Sequence, residues 1–224
     1  FDCYLNIRTP FEKGDDENEP PDTEKFKIQQ QAQLEINKIY FERIGSGTMR
    51  NCLCQFPTQA GADDAQLSLE AYKKFLFQSC YLFDKDPVAK WLEDRKMQQV
   101  YVDFLNKVDN VQYLGPNIDI SFSVKGRTWI NSDGRANMPS GEVFSAPVED
   151  SMNGKVYFSY PTIYMGKDVR GISLEIKNGE IVSWDAEEGK EILDKVFAIE
   201  GAKHWGEVAV GTNFNIQRTT RNIL

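Results

Sequence analysis

Apolar and polar residues alternate at the start of the chain. Phe1, Cys3, Leu5 and Ile7 fall on one side of an extended segment and Asp2, Tyr4, Asn6 and Arg8 on the other, which predicts a strand over residues 1–8. Gly14 to Asp22 is an acidic connection ending in Pro20-Pro21, and Asp22 or Thr23 is placed to cap a helix running to about Ile44. Phe26, Ala32, Ile36, Ile39 and Tyr40 recur there at helical spacing, and Gly45-Ser46-Gly47 ends the segment. Met49 to Phe56 reads as a second, largely buried strand. Three helix starts follow: a short one at Pro57-Thr58, one capped by Ser68 with Tyr72, Phe75, Leu76 and Cys80 on its apolar face, and one with Asp86 as cap and Pro87 at its first position. Trp91, Met97, Val100, Phe104 and Leu105 are expected to point inward from the last.

The period changes near Asn110. Strands are predicted at Val111–Leu114, Ile118–Val124, Val143–Ala146, Lys155–Tyr160, Val169–Ile176 and Glu180–Trp184, with a single helix at about Glu187–Ile199. Asn178-Gly179 marks a two-residue hairpin, because both central positions of such a turn need positive φ. Strands alternating with helices, then strands in series, give an α/β fold class: a partial N-terminal α/β layered domain over residues 1–112, then a partial, mostly β, sheet-rich α+β domain over residues 113–224. The chain begins inside a strand and stops in an apolar run at Asn222-Ile223-Leu224, which reads as an internal piece of a longer polypeptide.

Composition narrows the function classes. The 224 residues are 41% hydrophobic and 12% aromatic, enough to bury a sizeable core, and nothing suggests a membrane span. A net charge of -8 argues against a phosphate-tracking surface, so nucleic acid is not an expected partner. Cys3, Cys52, Cys54 and Cys80 lie in apolar surroundings, and Cys52-x-Cys54 is too close for an ordinary zinc knuckle; reduced core thiols in a cytoplasmic protein is the reading they favour. Gly45-Ser46-Gly47 is no phosphate loop, since no Gly-Lys-Ser/Thr follows.

The candidate chemistry centres on Asn137 to Pro147, Asn-Met-Pro-Ser-Gly-Glu-Val-Phe-Ser-Ala-Pro, which holds Glu142 on a stiffened turn leading into a strand. From the residues alone such a Glu is more often a solvated surface group than a cation ligand. The segment resembles the Asn-x-Pro-x-Glu-Glu-Val-Phe hallmark of the dinuclear metalloaminopeptidases typified by aminopeptidases T and S, with Gly141 in place of the first acid. Val124 to Gly134, Phe56 to Ala60 with Ser68-Leu69-Glu70, Phe158 to Pro161, and Gly206-Glu207-Val208-Ala209 are similar to the same family and in its order.

The resemblance implies that Glu142 and Glu207 are metal ligands and that their carboxylates converge. It further implies a cofactor of two divalent ions, zinc or cobalt, whose remaining ligands are expected beyond Leu224, and hydrolysis of N-terminal residues from peptides by metal-activated water in the parent protein, this chain alone being expected to be inactive. Peptides are then the substrates and the assembly a homodimer. The dense aromatic run Tyr157, Phe158, Tyr160, Tyr164 with Met165 is a candidate interface or, equally, a sheet face packed on its own helix. Lys125, Arg127 and Asp133 are candidates to orient the loop carrying Glu142, or are solvated turn residues. His204, the only histidine, is read as packing rather than catalytic, and no general base is assigned. Two alternatives stand beside the hydrolase: an inactive relative, hinted at by Gly141, and a metal-free binding or assembly piece of the same fold.

Overall fold

The computed structural model describes residues 2–9, 23–164 and 167–221. In chain order its elements are β1 (Cys3–Arg8), α1 (Thr23–Gly45), β2 (Arg50–Gln55), α2 (Gln59–Asp64), α3 (Leu69–Ser79) and α4 (Pro87–Leu105). There follow β3 (Asn110–Gly115), β4 (Ile118–Ser123), β5 (Ile130–Ser132), β6 (Asn137–Met138), β7 (Glu142–Ser145), β8 (Asn153–Phe158), β9 (Thr162–Tyr164), β10 (Lys167–Val169), β11 (Ile172–Lys177), β12 (Glu180–Asp185), α5 (Lys190–Val196) and β13 (Val208–Gly211). The architecture is mixed α/β. The acidic connection at 14–22, the Asp22 cap, Met165 and the terminal apolar run lie outside the described residues, and no described helix is long and apolar enough to cross a membrane.

Local chemistry sets the helix starts. Thr58 accepts a hydrogen bond from the Gly61 amide at 3.2 Å, Ser68 from Ala71 at 3.3 Å and Asp86 from Ala89 at 2.9 Å, each satisfying an amide that lacks an intrahelical partner. Pro87 follows Asp86 at the first position, where its missing N–H costs nothing. In α4 the buried stripe is Trp91, Asp94, Gln98 and Val102, at steps of three and four residues, whereas Val100 and Phe104 face solvent at 66% and 64% exposure. The expectation that those two point inward is thus corrected: polar Asp94 and Gln98 hold the inner positions because each has buried partners there.

A parallel three-stranded sheet in the order β1-β2-β6 joins the first and second halves of the chain. The main core lies under an antiparallel five-stranded sheet, order β12-β11-β8-β4-β3, with Ile120, Phe122, Trp129, Val143, Val156 and Ile176 among its buried members. Asn178 and Gly179 carry φ of 50° and 79° in the β11–β12 hairpin, the turn that Asn-Gly predicts. A second antiparallel sheet, order β13-β7-β5, lies beneath α4.

Two predicted elements are shorter than expected. The strand over 169–176 is two strands, separated at Gly171, where φ is 60°. The last helix covers only α5, because Glu187 and Glu188 are held to Arg170 by backbone hydrogen bonds of 2.9 and 3.0 Å and cannot coil. β5, β6, β9 and β13, two to four residues each, were too short to read from periodicity.

Candidate carboxylate cleft

The segment 137–147 is where two sheets meet. Its first two residues form β6 beside β2, with Leu53 opposite Asn137 and Cys54 opposite Met138, and four residues later the chain becomes the central strand β7 of the other sheet. The Ser132 carbonyl anchors the link: it accepts hydrogen bonds from Ser140 Oγ at 2.9 Å, the Gly141 amide at 3.2 Å and Gln98 Nε2 at 3.0 Å. Gln98 Nε2 also donates to the Glu142 carbonyl at 2.8 Å, so one wholly buried side chain of α4 fixes both the candidate acid's own backbone and that of Ser132, its partner across β5 and β7.

Gly141 has φ of 117°, a region that L side chains rarely adopt, and a Cβ added there would lie 2.5 Å from the Asn213 Cβ. Asn213 occupies that space for a reason. Its Nδ2 donates to the carbonyls of Ser79 at 2.9 Å and Ser140 at 2.8 Å, while the Thr212 and Asn213 amides donate to the Gly141 carbonyl at 2.8 and 3.2 Å. The end of α3, the 138–141 turn and the segment after β13 are thereby tied at one point.

β7 pairs antiparallel with β13, Glu142 opposite Gly211 and Ser145 opposite Val208. Glu207 immediately precedes β13, and the two-residue alternation of strands puts it on the same sheet face as Glu142, Phe144 intervening. Both acids line a cavity of about 550 Å³ whose walls include Leu53, Tyr72, Leu76 and Ile216. Glu142 is half-buried and Glu207 exposed. Burial raises the Glu142 pKa above the ordinary carboxylate value, the charge of Glu207 raises it further, and no cation acts in the opposite sense. Tyr72 is buried at 1% exposure, its hydroxyl accepts from Gln55 Nε2 at 3.4 Å, and Gln55 Oε1 is buried without a hydrogen-bond partner.

The remaining sequence candidates are dispersed. Lys125 lies 3.9 Å from Asp109, on the surface and away from the cavity. Arg127 pairs with Glu149 at 2.7 Å and lines an adjoining pocket of about 220 Å³ that shares Phe144 and Glu207 with the main cavity. Asp133 is buried, bonded by Arg95 and by Arg135 Nε at 2.8 Å. Desolvation alone would raise its pKa, yet hydrogen bonds from Arg135 and Arg95 outweigh that and lower it. His204 is exposed and bridges Glu180 through its backbone. Gln98, Asn213 and Gln55 were not singled out from sequence. For Gln98 the signal existed, since it falls on the helical stripe from Trp91 to Val102.

The expected dinuclear centre is overturned. Among the described residues, no group of three or more His, Cys, Asp or Glu side chains is arranged to hold a metal ion. The donor set explains why: the cavity offers two carboxylates, His204 is not among its lining residues, and the cysteines lie elsewhere, with Cys80 pushed up to about 12 mainly by burial. Two zinc or cobalt ions do not fit such a set. The reading of this chain as a hydrolase that attacks peptides with metal-activated water at that centre falls with them.

Comparison with known proteins gives the context. The family model described as "Thermophilic metalloprotease (M29)" matches residues 2–224. The chain is similar to aminopeptidase PepS of Streptococcus thermophilus, 32% identical over 147 residues that make up 60% of this chain and 36% of the relative. It is also similar to aminopeptidase 2 of Geobacillus stearothermophilus, 31% identical over 182 residues, 72% of this chain and 44% of the relative. The structure of wild-type AmpT from Thermus thermophilus superposes with a TM-score of 0.71 at 26% identity, covering 93% of this chain and 55% of that one. The chain thus spans about half the length, or less, of the relatives it matches.

Proposed function

The chain belongs to the thermophilic metalloprotease (M29) family of metalloaminopeptidases, and from that premise we propose that it is a catalytically silent, metal-free binding member of the fold, whose carboxylate cleft engages peptides without cutting them. The observation that carries this reading is the cleft's donor set. Glu142 and Glu207 share one cavity, and no third metal-ligating side chain joins them among the described residues. What two uncompensated carboxylates can do is attract an organic cation such as a peptide's free α-ammonium group, with Leu53, Leu76 and Ile216 offering apolar contact to the side chain beside it. In this proposal Glu142 and Glu207 are peptide-binding acids, and Asp133 braces the turn that precedes them.

Further parts of the proposal concern organisation. The boundary is put between residues 112 and 113, supported by the change from α/β alternation to strands in series. The chain self-associates as a homodimer, does not bind nucleic acid, and works in the cytoplasm. The net charge of -8 supports the second of these three statements.

Incubation of the purified chain with short peptides, with and without added zinc or cobalt, tests the central claim. No N-terminal residue is released under either condition, while a free-amine peptide binds more tightly than its acetylated counterpart. Release of amino acids that a chelator abolishes would overturn the reading.

A further inference from the structure

β13 ends in a glycine that the fold does not need. Gly211 stands directly opposite Glu142, its φ lies outside the left-handed region, and a Cβ added to it would meet nothing within 4 Å. Gly141, by contrast, is required both by its φ of 117° and by Asn213. Glycine weakens a strand relative to residues with side chains, and where it persists it marks a bulge, a sharp bend or a place where another backbone comes close. The first two do not apply. The β7–β13 register runs unbroken from Val208 to Gly211, and the Thr212 amide continues it by donating to the Gly141 carbonyl at 2.8 Å. Gly211 is exposed and lines the carboxylate cavity, so the space above it belongs to whatever the cavity holds.

Backbone geometry shows what Gly211 offers. In an antiparallel ladder successive residues turn their peptide groups alternately toward and away from the partner strand. The bond from Thr212 to Gly141 fixes the phase: Val208, Val210 and Thr212 point at β7, while Ala209 and Gly211 point outward. The Tyr113 hydroxyl agrees, donating to the Ala209 carbonyl at 3.0 Å from the outer side. Among the described residues nothing pairs with the Gly211 N–H or C=O. The free edge is thus one residue long, closed at Ala209 by Tyr113 and beyond Thr212 by the bonds of Asn213 to Ser79 and Ser140. That is too short for a strand of a folded partner and enough for one peptide unit.

We propose that Gly211 is the main-chain contact of the cleft: the first residue of a bound peptide crosses over its bare Cα with the α-ammonium at Glu142, and the next peptide unit pairs with its outward N–H and C=O. This contact rests on the peptide-binding reading above and adds to it which part of the peptide is held. Glu142 projects from the strand on the inner side of β13, so a chain held at the outer edge reaches that carboxylate only across position 211. Any side chain there would stand on the same sheet face as Glu142 and block the crossing. Main-chain pairing is indifferent to the peptide's sequence, and the choice of side chain is left to Leu53, Leu76 and Ile216. The ligand class is therefore an N-terminal peptide segment with a free amine and intact first amides.

Calorimetric titration of the wild-type chain with the tetrapeptide Leu-Ala-Ala-Ala at about pH 6.5, where the α-ammonium is charged, tests it. Replacing the N–H of the first or of the second amide by an ester oxygen removes the donor to the Gly211 carbonyl. One of these two analogues binds about tenfold more weakly than the parent peptide, and the same change at the third amide leaves the affinity as it was. Equal affinity of the parent and of both early esters overturns the main-chain contact and leaves peptide binding standing; no binding of the parent peptide overturns both. Gly211→Val gives a second readout. A Cβ at this position meets no atom and β-branched residues suit strands, so the variant melts no lower than wild type while its affinity for the peptide falls at least about tenfold. Wild-type affinity in Gly211→Val overturns the crossing, and a lowered melting temperature would show that the glycine serves the fold instead.

Discussion

Replacing Gly141 with alanine tests the scaffold of the cleft at its tightest point. The new Cβ lies 2.5 Å from the Asn213 Cβ and 3.1 Å from the Asn213 amide nitrogen, and the backbone there has φ of 117°. Holding an L residue at such a φ costs about 1–3 kcal/mol. Relief of the contact requires Asn213 to move, which weakens its hydrogen bonds to the carbonyls of Ser79 and Ser140 at roughly 1 kcal/mol each. A total of about 3–5 kcal/mol lowers the melting temperature by roughly 6–20 °C for a chain of this size. Scanning calorimetry of four proteins measures it: wild type, Gly141→Ala, Asn213→Gly and the double variant. With Asn213 cut back to glycine the 2.5 Å contact is gone and only the backbone cost and the 3.1 Å approach to the amide nitrogen at 213 remain, so the cycle shows a coupling of at least about 1 kcal/mol. Melting of Gly141→Ala within about 2 °C of wild type, or an equal cost of the alanine in both backgrounds, refutes the reasoning.

Gln98→Met keeps the volume but removes the donor to the Ser132 and Glu142 carbonyls, and is expected to cost about 2–3 kcal/mol in chemical denaturation; a loss below about 0.5 kcal/mol would show that these carbonyls find other donors. Glu142 has a raised pKa, first from burial and then from Glu207, so its contribution to stability is full while protonated and is lost as pH rises through the folded value. Glu142→Gln therefore melts above wild type at pH 8, and the gap closes on acidification; a gap independent of pH contradicts this assignment. Asp133 has the opposite sign. Its lowered pKa gives stability present above the unfolded value of about 3.9 and lost as pH falls through the folded one. Asp133→Asn is expected to cost about 1–3 kcal/mol at pH 7, measured by urea unfolding, and a variant as stable as wild type at that pH would show the Arg95 and Arg135 pairs to be idle.

What the sequence made legible was governed by locality. Caps at Thr58, Ser68 and Asp86 and the Asn178-Gly179 turn are decided within four residues, and each formed where its own chemistry puts it. The inner face of α4 was misread because apolarity stood in for burial. Asp94 and Gln98 are buried because a tyrosine hydroxyl and two carbonyls wait for them, and those partners come from Tyr81, Ser132 and Glu142, up to 44 positions away. The same holds for the cleft. Glu142 and Glu207 were named from local motifs, but what surrounds them depends on tertiary pairing: Gly141 against Asn213, and β13 fastened by the Tyr113 hydroxyl to the Ala209 carbonyl at 3.0 Å. The shortage of metal donors was legible in the sequence, which has one histidine and left the remaining ligands to be expected beyond Leu224; what the sequence did not show is how the cavity around the two acids is assembled.

The electrostatics and the framework of the cleft bear on each other. A half-buried carboxylate facing a second one is an unfavourable arrangement, and burial together with Glu207 raises the pKa of Glu142 accordingly. The chain nevertheless holds it rigidly: Gln98 is spent wholly on two carbonyls while its own Oε1 stays unsatisfied, and Gly141 occupies a conformation that only its missing side chain permits. Local costs accepted together at one place, and offset by hydrogen bonds from three elements, are what a binding site requires and what a surface strand does not. Among the described residues no cation lowers the pKa of Glu142, and Arg127, which lines the adjoining pocket, is engaged by Glu149. A cationic ligand is then the partner that lowers the energy of the pair, and its binding should weaken as pH falls and Glu142 takes up a proton. Titrating a free-amine peptide at pH 6.5, where its α-ammonium of pKa about 8 is still charged, and at pH 5 distinguishes this from binding through the apolar wall alone, which would give the same affinity at both.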